Sequence, residues 1–379
     1  MMRYLSILLV LCFSINTFAA ANATVSLRDK IGQMLLIGFD GKKVTVRSPI
    51  VQMIQQHNLG GVILFDYDSR TSQFDKNIES PKQIMQLNHD LQWFTAKGQA
   101  KYHRPQLPLL ISIDYEGGQV TRLSQRYGFP ATRSARNVAN KGEDVALAQA
   151  VIMAQTLKQS GFNLNFAPVL DVNINPVNPV IAQKERSFSD DARIVTRYAA
   201  LYSRQFLNHH IQCVYKHFPG HGSSSKDSHL GFVDVTDTWK SSELEPYRQL
   251  LGSDKSCGVV MTAHIVNRQL DPSGLPATLS RRVLTGFLRN QLHFKGVIMT
   301  DDMQMKAMSD YYGLDKALVL AINAGADMMI FGNNLTVAPQ DTESLIDLIE
   351  SKVKSGEISQ TRIDDAYQHI VDLKQSLKS

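Results

Sequence analysis

Eight short apolar runs, rich in β-forming residues, recur along this chain and constrain its fold more than any other feature. They occupy 34–37, 61–65, 109–113, 164–169, 213–215, 258–261, 296–299 and 328–331. Runs of this length suit buried strands, whereas helices need ten or more residues. Between most of them, apolar residues recur at three- and four-residue spacing, as in 144–160, 191–209 and 312–324. That spacing is the mark of an amphipathic helix. Strands alternating with helices argue for a parallel sheet, and eight such units for a single-domain (β/α)8 barrel of the TIM type. A doubly wound open sheet is the competing α/β arrangement.

No linker rich in Pro, Gly or Ser divides the chain, and no short repeat is visible. Residues 24–379 are therefore expected to form one domain, with 344–378 as one or two amphipathic helices packed outside the barrel. At 43% hydrophobic and 20% charged residues, the chain is neither disordered, collagen-like nor a multi-pass membrane protein. Its 40 basic and 35 acidic residues are scattered rather than striped, so no nucleic-acid partner is expected.

Residues 1–21 stand apart. Arg3 gives a positive start, an apolar run follows from Leu5 to Phe13, and Ala19, Ala20, Ala21 and Ala23 offer small-residue cleavage sites. This order is that of a removable secretory signal peptide, and the apolar run is too short for a stable membrane anchor. Leu11 before Cys12 argues against a lipoprotein. The mature chain is thus expected to be exported, periplasmic or secreted, without stable membrane insertion and with a monomer as the default state. Only Cys213 and Cys257 survive cleavage. Both precede apolar runs, so free buried thiols are the first expectation and a single disulfide the second.

In a barrel of this kind the chemistry gathers where strands give way to loops. Asp40, Asp66, Asp114, Glu116, Asp171, Lys216, His217, His264, Asp301, Asp302 and Asn333 all follow closely on an apolar run. One such Asp is often a helix cap; a ring of them suggests a polar pocket.

The most specific segment is K-H-F-P-G-H-G-S-S-S-K-D-S-H, from Lys216 to His229. Lys216 and His217 close a strand, and Pro219 and Gly220 force a turn. Asp227 and His229 are two apart, so on an extended loop they face the same way. The carboxylate can then fix the imidazole tautomer and leave the other nitrogen for proton transfer. A phosphate loop would need G-K-[ST], which is absent. A metal site using His217, His221, Asp227 and His229 is hindered by the Pro-Gly turn, so no metal and no cofactor are expected. In V-I-M-T-D-D-M-Q-M, Asp301 leaves a buried strand first and suits a covalent nucleophile, while Asp302 suits a structural role. In I-D-Y-E-G-G-Q-V-T-R-L, Gly117 and Gly118 allow a tight turn that brings Asp114 and Arg122 to one pocket as sugar-hydroxyl partners, with Glu116 structural. Arg186 stands in a turn-rich loop and by itself reads as a surface residue.

Together these motifs resemble the glycoside hydrolase family 3 enzymes, and among them the single-domain β-N-acetylhexosaminidases. The resemblance runs from I-G-Q-M-L-L-I-G-F at Ile31 to A-G-A-D-M-M-I-F-G-N-N ending at Asn334. Family 3 β-glucosidases share part of the K-H-F segment but take their acid/base from a second domain. The resemblance implies Asp301 as nucleophile, His229 paired with Asp227 as acid/base, and Asp114, Arg122, Arg186, Lys216 and His217 as sugar-binding residues. Tyr115 departs from the family's usual Gln. The signal peptide departs from the cytosolic Gram-negative enzymes that recycle cell-wall fragments.

The implied activity is retaining exo-hydrolysis of terminal β-linked GlcNAc from peptidoglycan fragments or chitin-type oligosaccharides. The rivals are a family 3 β-glucosidase or phosphorylase, a metal-dependent barrel hydrolase and a non-catalytic sugar-binding protein.

Overall fold

The computed structural model describes residues 25–228, 230–253, 255–335 and 339–377. The proposed signal peptide lies outside the described residues. Eight strands close into a parallel barrel: β1 (Leu35–Gly38), β2 (Gly61–Leu64), β3 (Leu110–Ile113), β6 (Leu164–Asn165), β7 (Gln212–Phe218), β8 (Val259–Thr262), β9 (Val297–Asp302) and β10 (Met328–Phe331). Each coincides with one of the eight apolar runs. The ring shuts where β1 pairs with β10, Leu35 opposite Met329 and Ile37 opposite Phe331. The two remaining strands, β4 (Tyr115–Gly117) and β5 (Val120–Thr121), form a small antiparallel hairpin directly after β3. Gly117 and Gly118 both hold positive φ there, and a Cβ on either would collide with Arg133 or Ser134, so the tight turn depends on their lacking side chains.

Helices wrap the barrel: α1 (Leu27–Gln33), α2 (Pro49–His57), α3 (Pro81–Lys101), α4 (Ala135–Lys141), α5 (Glu143–Gln159), α6 (Ala192–Asn208), α7 (Glu245–Leu250), α8 (Lys306–Tyr312), α9 (Leu314–Ala324), α10 (Thr342–Lys354) and α11 (Gln360–Ser376). Their starts follow local chemistry. Ser26, Ser80, Ser134, Asp191, Asp341 and Ser359 each accept a hydrogen bond from a first-turn amide, and Pro opens α2 and α3. Among the described residues no helix is long and apolar enough to cross a membrane.

The two ends of the barrel are built differently. At the end where strands begin, Lys374 of α11 is buried and donates to Gln33 Oε1 at 2.7 Å and to the Gly60 carbonyl at 2.7 Å, locking the last helix to the first two strand entries. Cys213 and Cys257 are joined by a disulfide at this same end, with a Cα–Cα distance of 4.9 Å. The expectation of free thiols is thereby corrected. The apolar surroundings of each cysteine say nothing of its partner, whereas pairing is decided by the neighbouring positions of β7 and β8, which bring the entries of these two strands together.

The disulfide closes a loop with a sequence separation of 44. Its loss should cost about 2–4 kcal/mol of stability. Since both cysteines lie at the barrel end away from the loops after the strands, Cys213→Ser/Cys257→Ser should melt earlier while keeping its turnover number at 25 °C. Denaturant unfolding alongside steady-state kinetics checks both halves of this expectation.

Candidate active site

At the opposite end, where strands give way to loops, lies a cavity of about 370 Å³. Asp114, Arg122, Arg186, Lys216, His217, Asp227 and Asp301 all line it. Seven of the eight residues singled out from the sequence thus converge on one space, although their sequence positions span 114 to 301. The eighth, His229, lies outside the described residues.

The sugar-binding candidates are fixed by one another. Lys216, on β7, is buried and donates to Asp114 Oδ1 at 2.8 Å, with Glu116 Oε1 at 2.6 Å on its other side. Glu116 in turn receives both arms of Arg186, at 2.8 Å from Nε and 2.7 Å from Nη2. Burial alone would push the Glu116 carboxyl up, but the Arg186 and Lys216 charges overcome that and hold it well below the ordinary carboxylate range. Arg186, which in isolation reads as a surface residue, is almost wholly buried by this fork. Glu116 has the structural role expected of it.

Arg186 Nη2 also lies 3.3 Å from His217 Nε2. A guanidinium only donates, so Nε2 accepts and the imidazole proton sits on Nδ1, which faces Asp171 Oδ2 at 2.6 Å. Asp171 is completely buried. Its other oxygen accepts from the backbone amides of His217 at 3.2 Å and His221 at 2.8 Å. Burial would raise its carboxyl, yet His217 beside it keeps it lowered. One carboxylate therefore sets both the ring of His217 and the exit of β7.

Arg122 reaches the cavity from β4–β5. The hairpin folds back so that its amide donates to the Asp114 carbonyl at 3.1 Å. Its guanidinium lies 3.6 Å from Asp66 and 5.8 Å over the Phe65 ring. Tyr115, at the position where the resemblance implies Gln, is fully buried and does not line the cavity, so this departure changes the core rather than the pocket wall.

Asp301 and Asp302 both line the cavity at the end of β9. Asp301 Oδ1 accepts from the Asp302 amide at 2.8 Å. Asp302 is bound into the turn that follows: its Oδ1 accepts from the Gln304 amide, and its carbonyl meets His264 Nε2 at 3.0 Å. Structural ties therefore gather on Asp302, although it shares the cavity with Asp301.

The loop carrying Asp227 is anchored at His221. Ser224 Oγ donates to the Lys226 carbonyl at 3.0 Å, so in its 3.0 Å contact with His221 Nδ1 it is the acceptor. Ser228, the middle residue of D-S-H, then donates to His221 Nε2, with which it makes a 3.1 Å contact. Burial pushes the His221 imidazole down to about 4, which keeps it neutral and matches one donor and one acceptor nitrogen. Both ring nitrogens of His217 and of His221 are thus engaged by protein groups.

The polar ring read from the sequence faces the cavity only in part. Asp114, Lys216, His217, Asp301 and Asp302 face the cavity. Asp40 pairs with Arg70 and Lys76, and Asn333 bonds the Gly38 carbonyl and Gln304; these brace loops. Sequence reasoning passed over Ser69, Lys184, Met305, Asn334 and Leu335, which also line the cavity. Phe65, Phe166 and Met261 add apolar wall, and Phe65 and Met261 sit at the ends of strand runs, a signal the sequence carries.

The barrel, the carboxylate at the end of β9 and the chain of alternating charges beside the same cavity together make up the candidate active site. The family model described as the glycosyl hydrolase family 3 N terminal domain matches residues 26–373, and the chain belongs to this family. It is 31% identical over 341 residues to beta-hexosaminidase A of Pseudoalteromonas piscicida, covering 82% of this chain and 54% of that protein. It is 34% identical over 303 residues to the beta-hexosaminidase of Shewanella frigidimarina, covering 77% and 80% respectively. Among solved structures it resembles a glycoside hydrolase family 3 beta-N-acetylglucosaminidase from Paenibacillus sp. strain FPU-7, with a TM-score of 0.82 and 33% identity over 93% of this chain and 63% of that one. The chain thus spans about half of the first relative and under two thirds of the Paenibacillus protein.

Glu116→Gln tests the clamp. It leaves Lys216 and Arg186 buried with one carboxylate fewer and should destabilise the protein by about 3–5 kcal/mol. Because the native Glu116 pKa is depressed, the stability it contributes is fully present above its unfolded value. It is lost only as pH falls through the folded one. The gap between wild type and variant should therefore stay constant from pH 6 to 8 and narrow in acid, as chemical unfolding across pH would reveal.

Proposed function

We propose that the chain is a retaining exo-β-N-acetylglucosaminidase acting on terminal β-linked GlcNAc in peptidoglycan fragments or chitin-type oligosaccharides. The single observation that carries this reading is the convergence of Asp301 and Asp227 with the Asp114–Lys216–Glu116–Arg186 clamp on one cavity. The names of the hexosaminidase relatives support the choice of sugar.

In the first step an oxygen of Asp301 attacks the anomeric carbon and the bond to the leaving oxygen breaks. Protonated His229 gives its proton to that oxygen, and Asp227 supports the imidazolium. The product is a glycosyl ester of Asp301. In the second step neutral His229 takes a proton from water, whose oxygen displaces Asp301 and restores the β-configuration. A covalent intermediate divides one hard displacement into two easier ones. Asp114, Arg122, Arg186, Lys216 and His217 hold the sugar hydroxyls through both steps.

We also propose that the protein is exported. The disulfide supports this, because such bonds persist in oxidising compartments and are rare in the cytosol. N-terminal sequencing of native protein should find a start near Ala20 to Thr24, and an intact Met1 in a cytosolic fraction would refute export.

Aryl β-glycosides of GlcNAc, GalNAc, glucose and xylose should separate sharply, with GlcNAc cleaved best; preference for glucose would replace the hexosaminidase reading. Asp301→Ala should abolish turnover without unfolding the protein, and a 2-fluoro sugar inactivator should label Asp301. Label on Asp302 would move the nucleophile by one residue. His229→Ala should slow a natural disaccharide by about 10²–10⁴-fold. It should slow an activated aryl glycoside less, with a burst and with rescue by azide. Equal slowing of both substrates would make His229 a binding residue.

A further inference from the structure

Glu243 has no part in the chemistry above, yet it is completely buried directly beneath the loop on which that chemistry depends. It lies in the short turn Ser241–Leu244 that leads into α7. Its Oε2 accepts from the backbone amide of Gly222 at 2.8 Å. The two segments are in close contact here. A Cβ on Gly220 would come within 2.6 Å of Glu243 Cβ, and one on Gly222 would meet the Val172 carbonyl at 1.6 Å and Glu243 Oε2 at 3.2 Å. The indole of Trp239, from the same segment, donates to the Pro219 carbonyl at 3.2 Å. Asn178 approaches from the other side and donates to the carbonyls of His221 and Gly222. Gly222 is therefore gripped at its amide by Glu243 and at its carbonyl by Asn178. Downstream, His221 ties Ser224 and Ser228, and Ser228 adjoins Asp227.

We propose that Glu243 is a positioning residue of the reaction, holding the root of the 220–228 loop so that Asp227, and with it the acid/base pair proposed above, serves the leaving-group oxygen. This rests on the acid/base role given to Asp227 and His229 above.

The groups around Glu243 fit this role. Asp171, on the segment after β6, and the buried Tyr247 phenol on α7 are the titratable groups acting on it, and Ser223 lies beside it. Burial, with the Asp171 charge adding to it, pushes the Glu243 carboxyl up to about 8, so at neutral pH it serves as an uncharged acceptor. A second charge this close to Asp171 would work against the packing, whereas a neutral carboxyl holds Gly222 without that repulsion.

The test compares 4-nitrophenyl β-GlcNAc, an activated substrate, with N,N′-diacetylchitobiose, an unactivated one. Glu243→Ala removes the acceptor. It should slow the disaccharide roughly 10- to 100-fold in kcat, part of the about 10²–10⁴-fold that proton transfer contributes, while slowing the aryl glycoside less and leaving its KM within about twofold. Glu243→Gln keeps a neutral acceptor of the same length and should restore the disaccharide rate to within a few-fold of wild type. Equal slowing of both substrates, a change confined to KM, or a Gln variant as impaired as the Ala variant would each overturn the proposal. Should Glu243→Ala fail to fold, Glu243→Asp withdraws the acceptor by one methylene and must show the same selective loss; wild-type rates in that variant would refute the assignment.

A second readout is stability against pH. The raised native pKa means that the stability Glu243 contributes is fully present below its unfolded value, near 4.5, and is lost as pH rises through about 8. The Gln variant lacks this loss and should gain on wild type between pH 5 and 8. A constant difference would count against the neutral carboxyl. If wild type cleaves glucosides rather than GlcNAc, the sugar reading falls, and the leaving-group contrast is then measured on the glucoside pair.

Discussion

Lys216 is the charge on which the active end of the barrel depends. A lone ammonium buried as deeply as this one would lose its proton or open the fold. It keeps its charge because Asp114 and Glu116 stand on two sides of it, and Glu116 is itself held by the fork of Arg186. Arg186 then touches His217, and His217 touches Asp171. The signs alternate from Asp114 to Arg186 before the chain ends on the His217 imidazole and the Asp171 carboxylate. Removing any charged member leaves a neighbour buried and uncompensated. The sequence at these positions is therefore constrained as a group rather than residue by residue.

The same network makes the site ready before a ligand arrives. Each group that faces the cavity from this network has its orientation set by a protein partner. Polar groups held in place in this way need little reorganisation when a ligand enters, and act more strongly than the same groups free in solvent. Strand ends supply most of these positions: β3 leads to Asp114, β7 carries Lys216 and His217, and β9 carries Asp301. Arg186 is the exception, a loop residue made rigid by its bidentate bond. The opposite end, with Lys374 and the disulfide, bears on cohesion of the fold, which is the usual division of labour in such barrels.

Much of this was legible in the sequence. Buried parallel strands must be apolar on both faces, so all eight appear as continuous runs, and the polar residue ending each run marks the functional face. Asp114, Lys216, His217 and Asp301 follow from that rule. Arg186 does not, because nothing local distinguishes an arginine that meets Glu116 across the fold from one in water; only the family resemblance pointed to it. The disulfide escaped for a similar reason, since pairing depends on the adjacency of β7 and β8. The rule also over-reached: Asp40 and Asn333 end their runs as loop braces, satisfying neighbouring charges and carbonyls rather than a ligand. His221 anchors the loop that carries Asp227 and Ser228, a role that depends on Ser224 and Ser228 folding back onto it and that its sequence neighbours do not announce.

A two-step displacement asks different things of its two reactive groups. The nucleophile acts along one line throughout, and a carboxylate at the end of a hydrogen-bonded strand suits that demand. The acid/base must approach a leaving group of variable size, donate a proton, and then address a water that arrives after the leaving group has gone. A loop suits this better than a strand, provided that its root is fixed. Asp171, Asn178, Glu243 and Trp239 converge on residues 217–222 from segments on either side of β7. Beyond them the loop is tied chiefly by its own His221, Ser224 and Ser228. Apart from the Asp171 carboxylate, the groups that hold the root of the loop are neutral, whereas the cavity wall is held by buried ion pairs. That division is physically consistent, since neutral bonds permit small displacements at a modest energetic cost that an uncompensated buried charge does not.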